Sequence, residues 1–522
     1  MKKTIFAFTL CSLMTLPSLH AQENYVSKVW VADQGNGTYK NPVLYADYSD
    51  PDIIRVGTKY YMVASDFHFL GMQVLESEDM VNWKLISQIY SRFDYPGWEE
   101  NEQYAGGSWA PAIRYYDNKF WVFFCTPKEG LFMSNAENPS GPWSPLYLVE
   151  KVEKWEDPCP FWDEDGQAYL GRSRHGAGPI IIHKMSPDGT RLLDEGKTVY
   201  TGPVAEGTKI FKKDGYYYLS IPEGGVGSGW QTILRSKNIY GPYEKKVVLE
   251  RGSTSINGPH QGSIVDTPDG KWAFFHFQHD GSLGRVLHLQ PMHWQDGWPV
   301  IGVDIDRNGI GEPVYVWKKP IESDKIVVPE TDDEFSSGKL SLQWQFNHNP
   351  VDDAWSLTSP RGSLTLQALV APEFRLARNT ITQKVMGYVS EVTVAVDLSG
   401  MAEGQRCGLV CMGKENQMLG VKKVEGKLGL YQSDDTTETE LAPITKKRIY
   451  LRVSIDIPNK EFRFAYSLDN LHFVSCGEPF FIHFGNWKGA RVGLYCYNKQ
   501  EKAGRVSFPW FHYKHDGPQT MK

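Results

Sequence analysis

Three carboxylates, a tryptophan and a histidine recur at matching places in the first three hundred residues: Asp50, Trp109, Asp157, Glu206 and His260. Each opens a short apolar stretch that runs into a turn of Asp, Asn or Gly and then an aromatic strand. The segments read "DPDIIRVGTKYYMVAS", "WAPAIRYYDNKFWVFF", "DPCPFWDEDGQAYLGR", "EGTKIFKKDGYYYLSI" and "HQGSIVDTPDGKWAFFHF". Carboxylates around an aromatic-lined pocket, with no phosphate-binding glycine loop and no nucleophilic Ser or Cys motif, suit acid–base chemistry on a sugar. In inverting glycoside hydrolysis one carboxylic acid protonates the leaving oxygen, and a carboxylate about 6.5–9.5 Å away activates water. A third carboxylate nearby keeps the acid protonated, because a like charge raises its pKa. Acidic residues often head strands simply because strand ends are exposed. No single position therefore carries the argument; the shared register of five does.

The elements that must position these residues follow from the same spacing. From leading residue to turn the offset is 8 in the first four units and 9 in the fifth, and the leading positions lie 59, 48, 49 and 54 residues apart. A segment that turns back into an aromatic strand is a β-hairpin. Hairpin units repeating at about fifty residues read as the blades of a β-propeller. The innermost strand of each blade begins near the axis, so the five leading residues should converge at one end of it. From Thr331 the texture changes to short alternating strands with Gly, Asn and Asp turns, which suits an antiparallel sandwich. The expected fold is all-β: a five-bladed propeller over 28–318, a linker over 319–330 and a sandwich over 331–522.

Bulk properties agree. A chain of 522 residues with 41% hydrophobic and 22% charged residues has room for two or more compact units. Its 17 Trp, 27 Tyr and 25 Phe suit strands and surfaces that stack on sugar rings. A net charge of −7 and the lack of a basic patch argue against nucleic acid as a partner. The opening "MKKTIFAFTLCSLMTLPSLHAQ" reads as a signal peptide over 1–21, with Lys2 and Lys3 ahead of an apolar stretch and Ala21 closing it. No other run approaches the roughly 18 apolar residues of a membrane span, so an exported protein, periplasmic or extracellular, is expected. Cys125, Cys159, Cys407, Cys411, Cys476 and Cys496 are too few for a disulfide scaffold and lack zinc spacing, so buried thiols are expected. "DIDRNGIGEP" begins like a calcium loop at Asp304, but its twelfth position is Tyr315 and not Glu; a polar turn is the better reading.

The motifs over residues 40 to 300 resemble glycoside hydrolase family 43, whose members are five-bladed propellers that invert at pentose sugars. "NPVLYADYSDPDIIRVGTKYYM" is similar to the family's opening and implies Asp50 as general base. "WEDPCPFWDEDGQAYL" resembles the segment of the carboxylate that tunes and orients the acid, implying Asp157. "EGTKIFKKDGYYYLSIPEGG" resembles the general-acid segment, implying Glu206. "GPHQGSIVDTPDGKW" implies His260 near the axis, where many members ligate calcium or another ion through this histidine; no cofactor is required for the chemistry. "GRVLHLQPMHWQDGWPV" implies Arg285 as a contact to the sugar, and "GSWAPAIRYY" implies Trp109 as a wall of the subsite. "DEFSSGKLSLQWQFNHNPVDDAWSL" and "GARVGLYCYN" resemble the lectin-like, concanavalin-type sandwich of β-xylosidase members, in which a sandwich loop closes the pocket into an exo-acting site.

The chain departs from the family at Asp52, where Ser is frequent, and at Thr208-Lys209, where Pro-His is frequent. Asp52 is expected to cap its local turn. Glu223 and His68 are each as well explained by structure as by the pocket. The reading implied is an inverting exo-glycosidase that releases β-D-xylose or α-L-arabinofuranose from plant cell-wall oligosaccharides or polysaccharides. A non-catalytic sugar-binding propeller and a retaining fructosidase-like propeller stay as alternatives, although Ser49-Asp50-Pro51-Asp52 does not supply the Asn-Asp-Pro-Asn-like motif of the latter.

Overall fold

Two-residue turns fold three of the leading segments back on themselves. Gly57-Thr58 joins Ser49–Val56 to Lys59–Ser65, Asp117-Asn118 joins Trp109–Tyr116 to Lys119–Thr126, and Asp214-Gly215 joins Lys209–Lys213 to Tyr216–Glu223. Asp117, Asn118, Asp214 and Gly215 all have φ between 50° and 74°, the mirror-turn geometry that matches the twist of the flanking strands. Each hairpin gains two further strands. The computed structural model thus holds five four-stranded antiparallel sheets, whose innermost strands begin at Ser49, Trp109, Trp155, Lys209 and Ile264. It describes residues 32–517 apart from 100, 101 and 257, with the backbone of 24–25 and 519–520. The expected signal peptide lies outside the described residues.

Much of the aromatic content sits between blades. Tyr61 meets Phe120, Tyr116 stacks on Trp162, Phe161 meets Tyr217, Phe211 meets Trp294 and Phe275 meets Trp83, at centroid distances of 4.8–6.3 Å. Every seam of the ring, including the one between the fifth blade and the first, therefore carries at least one aromatic pair, whose geometry adds to area burial. The chain ahead of the first blade seals that last seam: Val43 N–H donates to Leu287 O at 2.8 Å, and Tyr48 N–H to Arg285 O at 2.8 Å.

In three blades the register differs by one residue from the sequence expectation. The residue in left-handed conformation at the head of each inner strand is Asp50, Ala110, Asp157, Gly207 and Gln261, with φ of 52°, 39°, 56°, 60° and 44°. Asp50 and Asp157 are equivalent, but Trp109, Glu206 and His260 stand one position earlier, level with Ser49 and Glu156. The ladder slips here between Ser49 and Asp52, Trp109 and Ala112, and Glu156 and Cys159. Such a bulge adds a residue to one strand and re-aims its side chains. Two successive side chains can then face the axis where plain alternation allows one.

The next residue inward closes the axis. Asp52 accepts from Ile113 N–H at 2.7 Å, Arg114 Nη1 at 2.6 Å and Ser263 Oγ at 2.7 Å, with Lys209 Nζ at 3.7 Å. Arg114 Nη2 and Ile210 N–H both donate to Cys159 Sγ. Burial alone would push the Asp52 carboxyl up, but Arg114 and Lys209 outweigh it and hold it below its usual value. Asp52 does not cap its local turn; it ties the blades together at the centre.

Two antiparallel-dominated sheets of the C-terminal half face each other as a sandwich, one containing Gln405–Met412 and Arg491–Asn498, the other Val389–Asp397 and Arg448–Asp456. Leu409, Leu419, Val492 and Leu494 of the first are buried with Val392, Val394, Leu451 and Val453 of the second in one core. The six cysteines among the described residues are buried free thiols. Among the described residues no helix is long and apolar enough to cross a membrane.

Candidate active site

The ring heads meet in a cavity of about 300 Å³ lined by Asp50, Trp109, Asp157, Glu206, His260 and Arg285, at the lower end of the ~300–1,000 Å³ usual for small-molecule pockets. All six residues expected from sequence are therefore brought together. Asp50 accepts from Arg285 Nη1 at 2.8 Å through one oxygen and from Ser65 Oγ at 2.7 Å through the other. Asp157 accepts from Ser173 Oγ at 2.6 Å, Gly207 N–H at 2.9 Å and Gln261 Nε2 at 2.7 Å. Glu206, on the far side of the fifth blade from Asp50, meets His260 Nε2 at 2.6 Å through Oε1. His260 Nδ1 is buried with no hydrogen-bond partner among the described residues. Trp109 is fixed by its Nε1–H, which donates to Ala105 O at 2.9 Å.

A fourth carboxyl, Glu156, belongs to the same wall, and sequence reasoning missed it. Carboxylate oxygens of Glu156, Asp157 and Glu206 lie within 4.8 Å of one another. Burial, then the Glu206 charge, push Asp157 up to about 6, and burial, then Asp157 and Glu206, push Glu156 up to about 9. The signal was available: aligning Pro51, Pro111 and Pro158 in the three leading segments puts Glu156 level with Trp109.

One sandwich loop completes the cavity. Trp487 lines it, with its ring centroid 6.4 Å from that of Trp109, and Phe484 packs edge-on to His279 at 4.6 Å. Behind the loop Lys488 is buried, donating to Ser65 O at 3.0 Å and pairing with Asp47 Oδ2 at 2.8 Å. Asp47 in turn accepts from the backbone N–H of Arg285 and of Gly489. The loop that closes the pocket runs from 481 to 490, between the strands Val474–Phe480 and Arg491–Asn498.

A larger hollow of about 460 Å³ opens at the other end of the axis, with the Asp52 plug in its wall. Asp266 there pairs with Arg55, Asp163 and Glu164 with Lys212, and Asp52 with Arg114. The smaller cavity differs in chemistry: among the described residues Glu156, Asp157 and Glu206 have no Lys or Arg partner. Raised carboxyls without a cationic partner gather at that end, the pattern that marks a candidate site. The remaining candidates are structural. Glu223 is fully buried, holding Lys245, Tyr200 and Thr232. His68 packs, with tilted rings, between Phe69 and Tyr104 and does not line the cavity. Asp304 accepts from the backbone of Asn308 and Gly309 as a polar turn does.

Residues 39–299 match the family described as Glycosyl hydrolases family 43, and residues 332–514 the Beta xylosidase C-terminal Concanavalin A-like domain. A Xylanibacter ruminicola protein named as a beta-xylosidase is 56% identical over 90% of this chain and 88% of its own. The chain belongs to glycoside hydrolase family 43. A second relative, named Beta-xylosidase, from Formosa agariphila, is 39% identical over 94% of this chain and 92% of its own. A crystal structure of a family 43 protein from Bacillus licheniformis superposes with a TM-score of 0.81 at 26% identity, covering 91% of this chain and 99% of that one. This family 43 chain is accordingly a glycoside hydrolase, a five-bladed propeller with a concanavalin-like domain behind it.

Proposed function

We propose that the protein is an inverting exo-glycosidase that releases a terminal pentose, β-D-xylose or α-L-arabinofuranose, from plant cell-wall oligosaccharides, and that it is exported to do so. The observation that carries the reading is the asymmetry of the cavity. On one side Asp50 carries a guanidinium partner, Arg285, and is aimed by Ser65. On the other, Glu156, Asp157 and Glu206 crowd together with no Lys or Arg beside them among the described residues, and burial with like charge raises Glu156 and Asp157. A carboxylate braced by a guanidinium suits the base, and a carboxyl crowded by two others suits the acid.

Asp50 then takes the proton of the attacking water, and Glu206 gives its proton to the leaving oxygen. Asp157 holds Glu206 ready, fixed itself by Ser173, Gln261 and the Gly207 N–H. Trp109 and Trp487 wall the sugar, and the loop at 481–490 shortens the cavity to an exo site. An ion near the axis would be held by the orphaned Nδ1 of His260; it would stiffen the ring centre, and no step is routed through it.

Hydrolysis of aryl β-D-xylopyranoside and aryl α-L-arabinofuranoside by the parent, Asp50→Asn and Glu206→Gln is the test. Acid and base steps are each worth about 10²–10⁴ in rate, so each variant should lose at least ~100-fold in kcat on whichever pentoside is cleaved, with an unchanged melting profile. NMR of the first product formed should show the inverted anomer. A retained anomer would favour a covalent mechanism, and binding without turnover by the parent would leave only a sugar-binding propeller.

A further inference from the structure

Glu156 has no part in the scheme above, yet it is more than nine-tenths buried in the cavity wall beside His175 and Gly176. Its one hydrogen bond among the described residues comes from Ala177 N–H to Oε1 at 3.2 Å. Oε2 is left without a protein partner, and no cation pairs with either oxygen. Glu156 lines the cavity, so the oxygen that no protein group holds is open to whatever fills that cavity, water in the empty site and a sugar hydroxyl in the occupied one. The bulge at Glu156/Cys159 brings Glu156 to the cavity together with Asp157, so the open oxygen lies beside the reacting carboxyls and not behind them.

We infer that Glu156 is a substrate-contacting residue that hydrogen-bonds one ring hydroxyl of the sugar seated between Asp50 and Glu206, and thereby selects which pentose is accepted. This rests on the pentosidase reading. The proton that burial and the neighbouring carboxyls keep on Glu156 gives it an O–H donor as well as an acceptor, and a sugar hydroxyl can meet both. The contact is worth most against a sugar that lacks the hydroxyl, because a buried polar group is then left unpaired.

The experiment pairs Glu156→Leu and Glu156→Gln with the cleaved aryl pentoside and its three monodeoxy forms (2-, 3- or 4-deoxy for a xylopyranoside, 2-, 3- or 5-deoxy for an arabinofuranoside), measured as kcat/KM on the full-length protein. Parent enzyme should lose ~10–100-fold on one of the three deoxy substrates. Glu156→Leu should lose a similar factor on the complete sugar and little more on that deoxy substrate. Glu156→Gln, whose amide can still donate, should lie between parent and Leu. A merely structural Glu156 would lower kcat/KM on all substrates alike, and that outcome, or wild-type behaviour of Glu156→Leu, overturns the inference. Should Glu156→Leu melt early, the isosteric Gln variant carries the same comparison: a deoxy penalty identical to that of the parent on every substrate counts against the contact. Parent activity that vanishes in Glu206→Gln keeps the pentosidase reading whatever Glu156 does; a parent inactive on both pentosides ends both.

Discussion

Burial and two neighbouring carboxyls act in the same direction on Glu156, raising it from an ordinary 4.5 to about 9. An acid raised in this way stabilises the fold fully below the unfolded pKa and loses that contribution as pH climbs toward the folded one, because the unfolded chain releases a proton the folded chain retains. Glu156→Gln should therefore be more stable than the parent at pH 8, by roughly 1–4 kcal/mol at about 1.4 kcal/mol per pKa unit. The gap should close by about pH 4.5. Denaturant unfolding at the two pH values measures it, and equal stability at pH 8 would mean that Glu156 is not held protonated. Asp50, Asp157 and Glu206 were legible in the sequence because chemically distinctive residues stand out against apolar strands. Glu156 is a carboxylic residue like them; what sets it apart, burial beside Asp157 and Glu206, exists only after the third and fourth blades have packed together.

The bulge is the element that makes such a site from strands. A plain strand sends alternate side chains to opposite faces, so Glu156 and Asp157 could not both reach one cavity. Counting from the distinctive residues put Trp109, Glu206 and His260 level with Asp50. The structure places them one residue earlier, because the position that must turn at positive φ is Ala110, Gly207 and Gln261. Gly207 shows what the turn demands. A Cβ there would lie 2.8 Å from Pro222 Cγ and 3.0 Å from Gln261 Cγ, and the Gly207 N–H holds Asp157. Gly207→Ala should cost at least ~10-fold in kcat, since about 1 Å of misplacement at a reacting group can cost ~100-fold. Melting should fall only by a few degrees. Steady-state kinetics checks this, and a parental kcat would show that the bulge tolerates a side chain.

For the molecule as a whole, the two domains were legible as a change of texture near Thr331, while the loop that joins their chemistry was not. Its anchor is a buried ion network gathered from distant segments: Lys488 with Asp47, and Lys384 with Asp66, which lies 3.7 Å from Lys488. Burial, only partly offset by Asp66, takes the Lys384 ammonium down to about 7. Removing one member strands its partner, which typically costs about 3–5 kcal/mol. Lys488→Met should destabilise by that order and slow turnover, because Asp47 also holds the backbone of Arg285. Adding Asp47→Asn should return part of the lost stability but not the turnover. Thermal unfolding and kcat of the single and double variants test this, and independent, additive losses would mean that the pair does not join the domains.

The Asp50–Arg285 contact spans 235 positions and the Asp47–Gly489 contact 442. A ribosome adding roughly 5–20 residues per second makes Asp50 some 10–50 s before its arginine exists, and the sandwich loop follows roughly 20–90 s after Asp47. The pocket is thus among the last things the chain completes. A chain interrupted just before that loop has made every carboxylate of the pocket and not the wall that closes it.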